Sequence, residues 1–374
     1  MWSCKGGLEA GPKSGRQAGL NAGRRAAPRQ GRPPGPGGGA GPVHPLAPLL
    51  ALAGAVLAIS FSSVLIRYSQ APSAVIAFYR MALTTLLLLP WAWRDAGRVR
   101  RLPPRLLWAS VLSGVLLAGH FLTWIASLRY TSVTASVLLV TSHPLYVMAA
   151  DAWLLRERVP ARRLLGALLA LTGVAVVTFA GAGAGDLAAG GTALYGNFLA
   201  VAGSWFFAGY ILIGRRVRQV LPVMPYTTLV YGVASLVIAA GLALTGTPFG
   251  PYPWREMLLF VALAVVPTLG GHTVLNWALE WVPASVVSVS ILGEPVGASL
   301  LAWLLLGEAP SGVELAGGAL TLAGLFVATQ TAGRETERLR GAAGAAGTAG
   351  AGGAAGGGGA ASAAAVEPGP GKRL

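Results

Sequence analysis

A chain of 374 residues is long enough for two or three soluble domains, yet 54% of it is hydrophobic and only 11% charged, where soluble proteins carry about 25% charged residues. So few charges cannot cover a water-facing surface of this size; with a mean hydropathy of +0.63, a soluble globular fold is all but ruled out. The formal net charge of +15 from 28 Lys and Arg raises nucleic-acid binding, but the basic residues lie between and outside the apolar runs, so the charge reports topology and no nucleic-acid partner is expected.

Residues 1–45 are rich in Gly, Pro, Ala and Arg, with Arg24, Arg25, Arg29 and Arg32 close together and no apolar stripe to bury. They read as a disordered basic leader, or as an over-extended start to the reading frame. The lone cysteine, Cys4, lies there, which excludes an internal disulfide framework and a cysteine metal cluster. Apolar runs follow near 46–67, 72–93, 105–127, 132–155, 163–181, 193–214, 224–245, 255–278, 283–306 and 312–330. Each of the ten is about 20 residues, the length of helix that crosses roughly 30 Å of hydrocarbon. Pro72, Pro103, Pro104, Pro160, Pro222 and Pro310 punctuate the links between them, as helix boundaries require. A Gly/Ala-rich tail, 332–374, is expected to be flexible. The expected organisation is thus the leader 1–45, one five-helix unit over 46–181, a second over 192–331, and the tail 332–374.

Basic residues fix the expected orientation. With the amino end inside, the cytoplasmic side collects the leader, Arg94 to Arg105, Arg156 to Arg163, Arg215 to Arg218 and the tail arginines, whereas the other side holds only Arg67, Arg129 and Arg255. The positive-inside rule then places both termini in the cytoplasm.

The middle of the chain repeats near its end, at an offset of about 151 positions. SLRYTSVTASVLLVTSHPLYVMAADAWLLRERVPARRLLGALLALTGVAVV from Ser127 aligns with ALEWVPASVVSVSILGEPVGASLLAWLLLGEAPSGVELAGGALTLAGLFV from Ala278, setting Pro144 on Pro295, Glu157 on Glu308, Gly166 on Gly317 and Gly173 on Gly324. Five spans is an odd number, so the second copy must lie upside down relative to the first. Its charges agree: Arg156, Arg158, Arg162 and Arg163 fall on Gly307, Ala309, Val313 and Glu314. The fold class is therefore an all-α integral membrane protein of ten transmembrane helices in two inverted five-helix repeats, an architecture frequent among secondary transporters.

Over roughly residues 47–331, these motifs, LRYTSVTAS...HPL...LLRERV in span four and LEWVPASVVSVSILGEPV...LAWLLLGEAP in span nine, resemble the EamA family of the drug/metabolite transporter superfamily. The resemblance implies a single-chain, multi-pass plasma-membrane carrier, often an exporter of amino acids or other small metabolites. A homodimer stays open, and no cofactor or metal is expected. The link near Glu280 to Val282, nominally cytoplasmic, departs from the charge pattern in having no basic residue.

An ionised side chain at bilayer depth is expensive, so it must face a cavity or a partner. Arg80, in span two, either snorkels and bonds helix carbonyls or serves as a cavity cation or half of an ion pair. His120 and His272 hold near-equivalent positions in spans three and eight, with Trp124 and Asn276 one turn further along the same faces. They either bind solute and relay protons or bridge helices. His143-Pro144 and Glu294-Pro295 are the aligned pair in spans four and nine. Each proline removes a backbone donor and frees carbonyls one turn earlier for a substrate or a hinge, or merely kinks the helix. Glu294 either couples transport to protons or pairs structurally with an Arg or His. The aromatic set Trp205, Phe206, Phe207 and Tyr210, with Tyr79 and Tyr146, could line a pocket.

A secondary carrier moving a small-molecule solute through the lipid bilayer, with proton coupling at Glu294, best accounts for these features. The alternatives are an intramembrane enzyme or a channel-like protein. The sequence shows neither a phosphate-binding GxxxxGK[ST] loop nor an HExxH pair, and a channel gives no reason for the inverted duplication.

Overall fold

Proline decides where many of these helices begin. The computed structural model describes residues 47–155, 160–180, 191–275 and 290–328. Within them Pro72, Pro103, Pro160, Pro222 and Pro253 each stand at the N-cap of a helix with φ between −54° and −56°. A helix start leaves its first N–H groups without partners, so a residue lacking one loses nothing there.

Span one is Ala47–Tyr68, span two Ser73–Arg94 and span three Pro104–Ser127, with a short helix, Ala96–Arg100, in the link between two and three. Span four comes in two pieces, Val133–Val140 and His143–Leu155. Span five, Ala161–Ala175, runs on as a π-helical turn, Val176–Ala180. Span six is Thr192–Val217 and span seven Val223–Leu244. Span eight starts as Trp254–Leu263 and continues as a π-helical segment, Ala264–Thr273, around Pro267. Spans nine and ten are the shorter apolar helices Gly293–Leu306 and Gly312–Ala328. The described residues contain no strand, and eight of their helical stretches are long and apolar enough to cross a bilayer unaided. The protein is an all-α integral membrane protein built as two inverted five-helix repeats.

Packing reproduces the repeat. A Cβ on Gly166 would meet the Gly324 carbonyl oxygen at 2.8 Å, and one on Gly173 would meet the Gly317 carbonyl oxygen at 2.5 Å. These are the aligned glycines taken crosswise, so a two-fold axis exchanging the halves converts one contact into the other. Spans five and ten therefore run antiparallel through a glycine-lined crossing, where the absence of side chains lets backbones touch. Other pairings obey the same exchange. Span three packs on six as eight packs on one; four packs on six as nine packs on one; two meets seven, and four meets nine.

Hydroxyl groups within the spans satisfy themselves locally. Thr84, Thr85, Ser110, Thr178, Thr228, Ser299 and Thr321 each donate to the carbonyl four residues earlier, as side chains must where no water is at hand. Leu86, Leu112, Leu168, Leu236 and Leu304 lie exposed around the bundle, and Trp91, Trp93 and Trp254 lie exposed near span ends, the pattern of a lipid-facing belt.

Gly324→Val puts methyl groups against the backbone of Ala170 and Gly166, and overpacking of this kind costs about 1–3 kcal/mol. A lowered unfolding temperature in detergent is the expected result. Gly54→Ala, where an added Cβ meets nothing within 4 Å, leaves that temperature unchanged or raises it.

Candidate functional site

Arg80 is 1% exposed, and its surroundings reject snorkelling. The side chain sits two turns into span two and is bonded on both sides by hydroxyls. Its Nη1 donates to Ser62 Oγ of span one at 2.8 Å and its Nε to Thr268 Oγ1 of span eight at 3.1 Å. The guanidinium carbon lies 4.7 Å from the centre of the Phe121 ring and 5.8 Å from that of Trp124, both on span three, so the cation is also covered by aromatic faces. Tyr231 of span seven and Glu294 of span nine lie within its electrostatic reach. Six spans thus converge on one charge.

Thr268 reaches Arg80 because of the π-helical stretch. Its hydroxyl donates to the Leu263 carbonyl five residues earlier, at 2.9 Å, and accepts from Arg80. A π-turn widens the helix and re-aims the side chains it carries, a geometry common at functional sites.

The histidines gather around the same centre. His120, buried, places Nδ1 3.0 Å from the Gly203 carbonyl oxygen of span six. A carbonyl partner requires the proton on Nδ1, which leaves Nε2 as an acceptor in the neutral ring. The imidazole lies nearly parallel to Trp124, with centroids 5.8 Å apart and planes 14° off. Phe207 stands between two histidines, 4.7 Å from His120 and 4.7 Å from His143. His120 lies within electrostatic reach of Arg80, His143 and His272.

Spans four and nine both break at aligned positions, Thr141–Ser142 and Leu292, just ahead of His143-Pro144 and Glu294-Pro295. Pro144 has no N–H to give the Val140 carbonyl, and the freed oxygen instead faces His143 Nδ1 at 3.4 Å. On span nine, Ser60 of span one donates to the Glu294 carbonyl at 3.4 Å, while Gly293 and Gly297 admit Val56 and Ser60 closely. Glu294 itself is half-buried.

The structure therefore brings together Arg80, His120, Trp124, His143, His272 and Glu294, with Tyr210 joined through Phe207 at 5.4 Å. Other expectations fare differently. Tyr146, one turn after His143 on the same helix, packs edge-on against the exposed Trp205, 5.8 Å away. Tyr79 stacks on Phe260 and donates to the Phe249 carbonyl in the 245–253 link, so it serves that link. Asn276 lies outside the described residues. Sequence reading missed Ser62, Thr268, Phe121 and Tyr231; the only signal for them was that a buried arginine needs donors' partners on neighbouring spans.

A match to the model of the EamA-like transporter family covers residues 46–179 and 194–330. The chain belongs to the EamA-like transporter family. It is similar to a protein of Archaeoglobus fulgidus named an uncharacterized transporter, 25% identical over 266 residues and covering 71% of this chain and 90% of that one. It is also similar to an uncharacterized transporter of Synechocystis, 23% identical over 240 residues, with 63% and 71% of the two chains covered. A solved crystal structure shares the fold with a TM-score of 0.53 at 23% identity, over 78% of this chain and 99% of that chain. The protein is a multi-pass membrane transporter, and the family and its named relatives point to transport rather than enzymatic turnover.

Thr268→Val removes the acceptor for Arg80 Nε at nearly constant volume. Losing a buried bond to a charged group costs about 1.5–3 kcal/mol. A lower unfolding temperature is expected for it in detergent, alongside no change for Thr172→Val, whose hydroxyl bonds only its own helix on an exposed face.

Proposed function

We propose that this transporter is a secondary carrier that exports a small metabolite, an amino acid or a related solute, by alternating access. In this reading two halves, residues 46–181 and 192–331, rock about the central cluster, and spans four and nine flex at their aligned breaks beside Pro144 and Pro295. The observation that carries it is a cation from one half, Arg80, within electrostatic reach of a carboxylate from the other, Glu294, beside a buried donor without an acceptor. The indole Nε1 of Trp124 is buried and has no hydrogen-bond partner among the described residues, although buried donors ordinarily find one. A carboxylate arriving beside Arg80 supplies the missing acceptor, and an ammonium group of the same solute finds Glu294.

Proton coupling follows from the same pair. A proton taken up by Glu294 from outside cancels its charge and releases the ammonium group; loss of that proton to the cytoplasm restores the site. Arg80 is the charged neighbour within electrostatic reach of Glu294, and His120 and His272 lie within reach of Arg80 in turn.

The charge pattern supports a plasma-membrane location with both termini cytoplasmic. Two of the three arginines expected outside are engaged in bonds: Arg67 with Glu308 at 2.5 Å, and Arg129 with the Ser69 and Ala71 carbonyls at 2.9 and 2.8 Å.

In proteoliposomes the purified protein is expected to show saturable flux and counterflow of an amino-acid mixture, driven by a pH gradient. Linear, non-saturating flux overturns the carrier reading. Glu294→Gln is expected to express at normal levels, to lose at least about tenfold of gradient-driven flux, and to lose the pH dependence of what remains.

A further inference from the structure

Three carboxylates of the second half, Glu256, Glu308 and Glu314, lie on the face that carries the 69–72, 128–132, 245–253 and 307–311 links, and all three accept hydrogen bonds from the first half. Glu256 receives Ser69 Oγ and the Gln70 N–H. Glu308 receives Arg67 Nη2 on one oxygen at 2.5 Å and the Val133 N–H on the other at 3.1 Å. Glu314 receives Ser132 Oγ. We propose that Glu308 and Glu314 are the latch that holds this face shut, and that both bonds break whenever the central site opens there. This rests on the alternating-access reading.

Geometry separates these two acids from a static clamp. Glu308 follows Gly307, which caps span nine in the left-handed region at φ 72°, and it reaches back over the end of span one and the start of span four. Glu314 belongs to the first turn of span ten, where it accepts the Ser311 N–H at 2.7 Å while Ser311 Oγ accepts the Glu314 N–H at 3.2 Å. This reciprocal cap fixes the carboxylate in place. Its second oxygen is then free to hold Ser132, itself the N-cap of span four through the Ala135 N–H at 3.0 Å. Both acids therefore grip span four above the break at Thr141–Ser142, one through the first helical N–H and the other through the cap. Releasing them frees the upper piece of span four to move about that break.

A latch must also open, and its surroundings permit that. The Arg67 and Glu308 side chains remain 26% and 29% exposed, so separating them does not strand bare charge in hydrocarbon. A recess of about 420 Å³ opens beside them, lined by Arg67, Arg129, Asn197, Ser311 and Glu314, with Ala135 and Val177 at its apolar wall. Arg80 and Glu294 do not line it. Its polar wall gives the parted groups a hydrated place to go.

The experiment reads accessibility and so does not depend on knowing the solute. In a Cys4→Ser background, Ser142→Cys places a near-isosteric thiol at the break of span four, where the serine is fully buried. Labelling by a membrane-impermeant maleimide, applied from this face, is expected to be slow. With Glu308→Gln and Glu314→Gln added it is expected to rise at least about threefold. Glu308→Gln alone, which removes the Arg67 ion pair and leaves Glu314 in place, is expected to give an intermediate rate. Separately, in the same background without the Ser142 change, Arg67→Cys with Glu308→Cys, bridged by a bifunctional methanethiosulfonate long enough to span an Arg–Glu pair, is expected to lose flux on bridging and regain it with reductant. Arg98→Gln, which breaks the Arg98–Asp95 pair inside another link, is expected to change nothing. Unchanged labelling in the correctly folded double variant overturns the latch even if flux is saturable. Absence of saturable flux in the unmodified protein overturns the carrier reading instead. If the double variant does not fold, the single variant and the bridged cysteine pair decide: labelling unchanged in Glu308→Gln, or flux indifferent to bridging, overturns the proposal.

Discussion

A guanidinium at bilayer depth has no solvent to hydrate it, and placing one mid-helix costs on the order of 2.5–3.5 kcal/mol or more. Arg80 is held there by Ser62, Thr268, Phe121 and Trp124 on three other spans. The requirement works in reverse as well. Because those partners come from spans one, three and eight, span two cannot rotate or slide without stranding the charge. The cation therefore fixes the register of the central helices, and the π-helical widening of span eight is the backbone adjustment that delivers the Thr268 hydroxyl to it.

Around that fixed charge the scaffold is symmetric while the chemistry is not. Spans four and nine break at aligned positions and carry prolines at aligned positions, yet the residue before each proline is histidine in one half and glutamate in the other. In the alternating-access reading proposed above, the aligned breaks serve as hinges between two conformations of comparable packing, related by exchanging the halves, and the unequal side chains make the two differ in their affinity for charge. A carrier that couples two gradients needs both properties: a low barrier between states, and a differential interaction of ligand or proton with each.

How far the sequence foretold this varies by element, for physical reasons. Run length and hydropathy located the ten spans, since every span must satisfy the same hydrocarbon thickness, and the odd repeat made the inversion unavoidable. The break in span four and the π-helix of span eight left no trace in hydropathy, which is blind to the register of backbone hydrogen bonds. Pro144 and Pro267 were the only local hints. The partners of Arg80 were hidden because Ser and Thr are ordinary residues in membrane helices, mostly bonded to their own backbone, and nothing local marks Ser62 or Thr268 as different. Tyr79 and Trp205 were grouped with the pocket by composition alone, although an aromatic ring serves a lipid interface or a packed link equally well. The reciprocal cap of Ser311 and Glu314, and the second bond of Glu314 to Ser132 in the other half, came only with the fold.

Charge distribution ties these observations together. Where the first half carries Arg163, the second carries Glu314, and in the orientation proposed above the positive-inside rule disfavours an arginine there. That rule asks only for the absence of a cation and is indifferent to acids. Yet Glu256, Glu308 and Glu314 all stand on this face, each bonded to a hydroxyl, an N–H or an arginine of the opposite half. Topology thus accounts for the missing arginines, while the contacts between halves account for the acids in their place. The inverted duplication supplies both: it brings the link after span nine to the face where span one ends and span four begins, so one carboxylate there meets donors from two elements of the other copy.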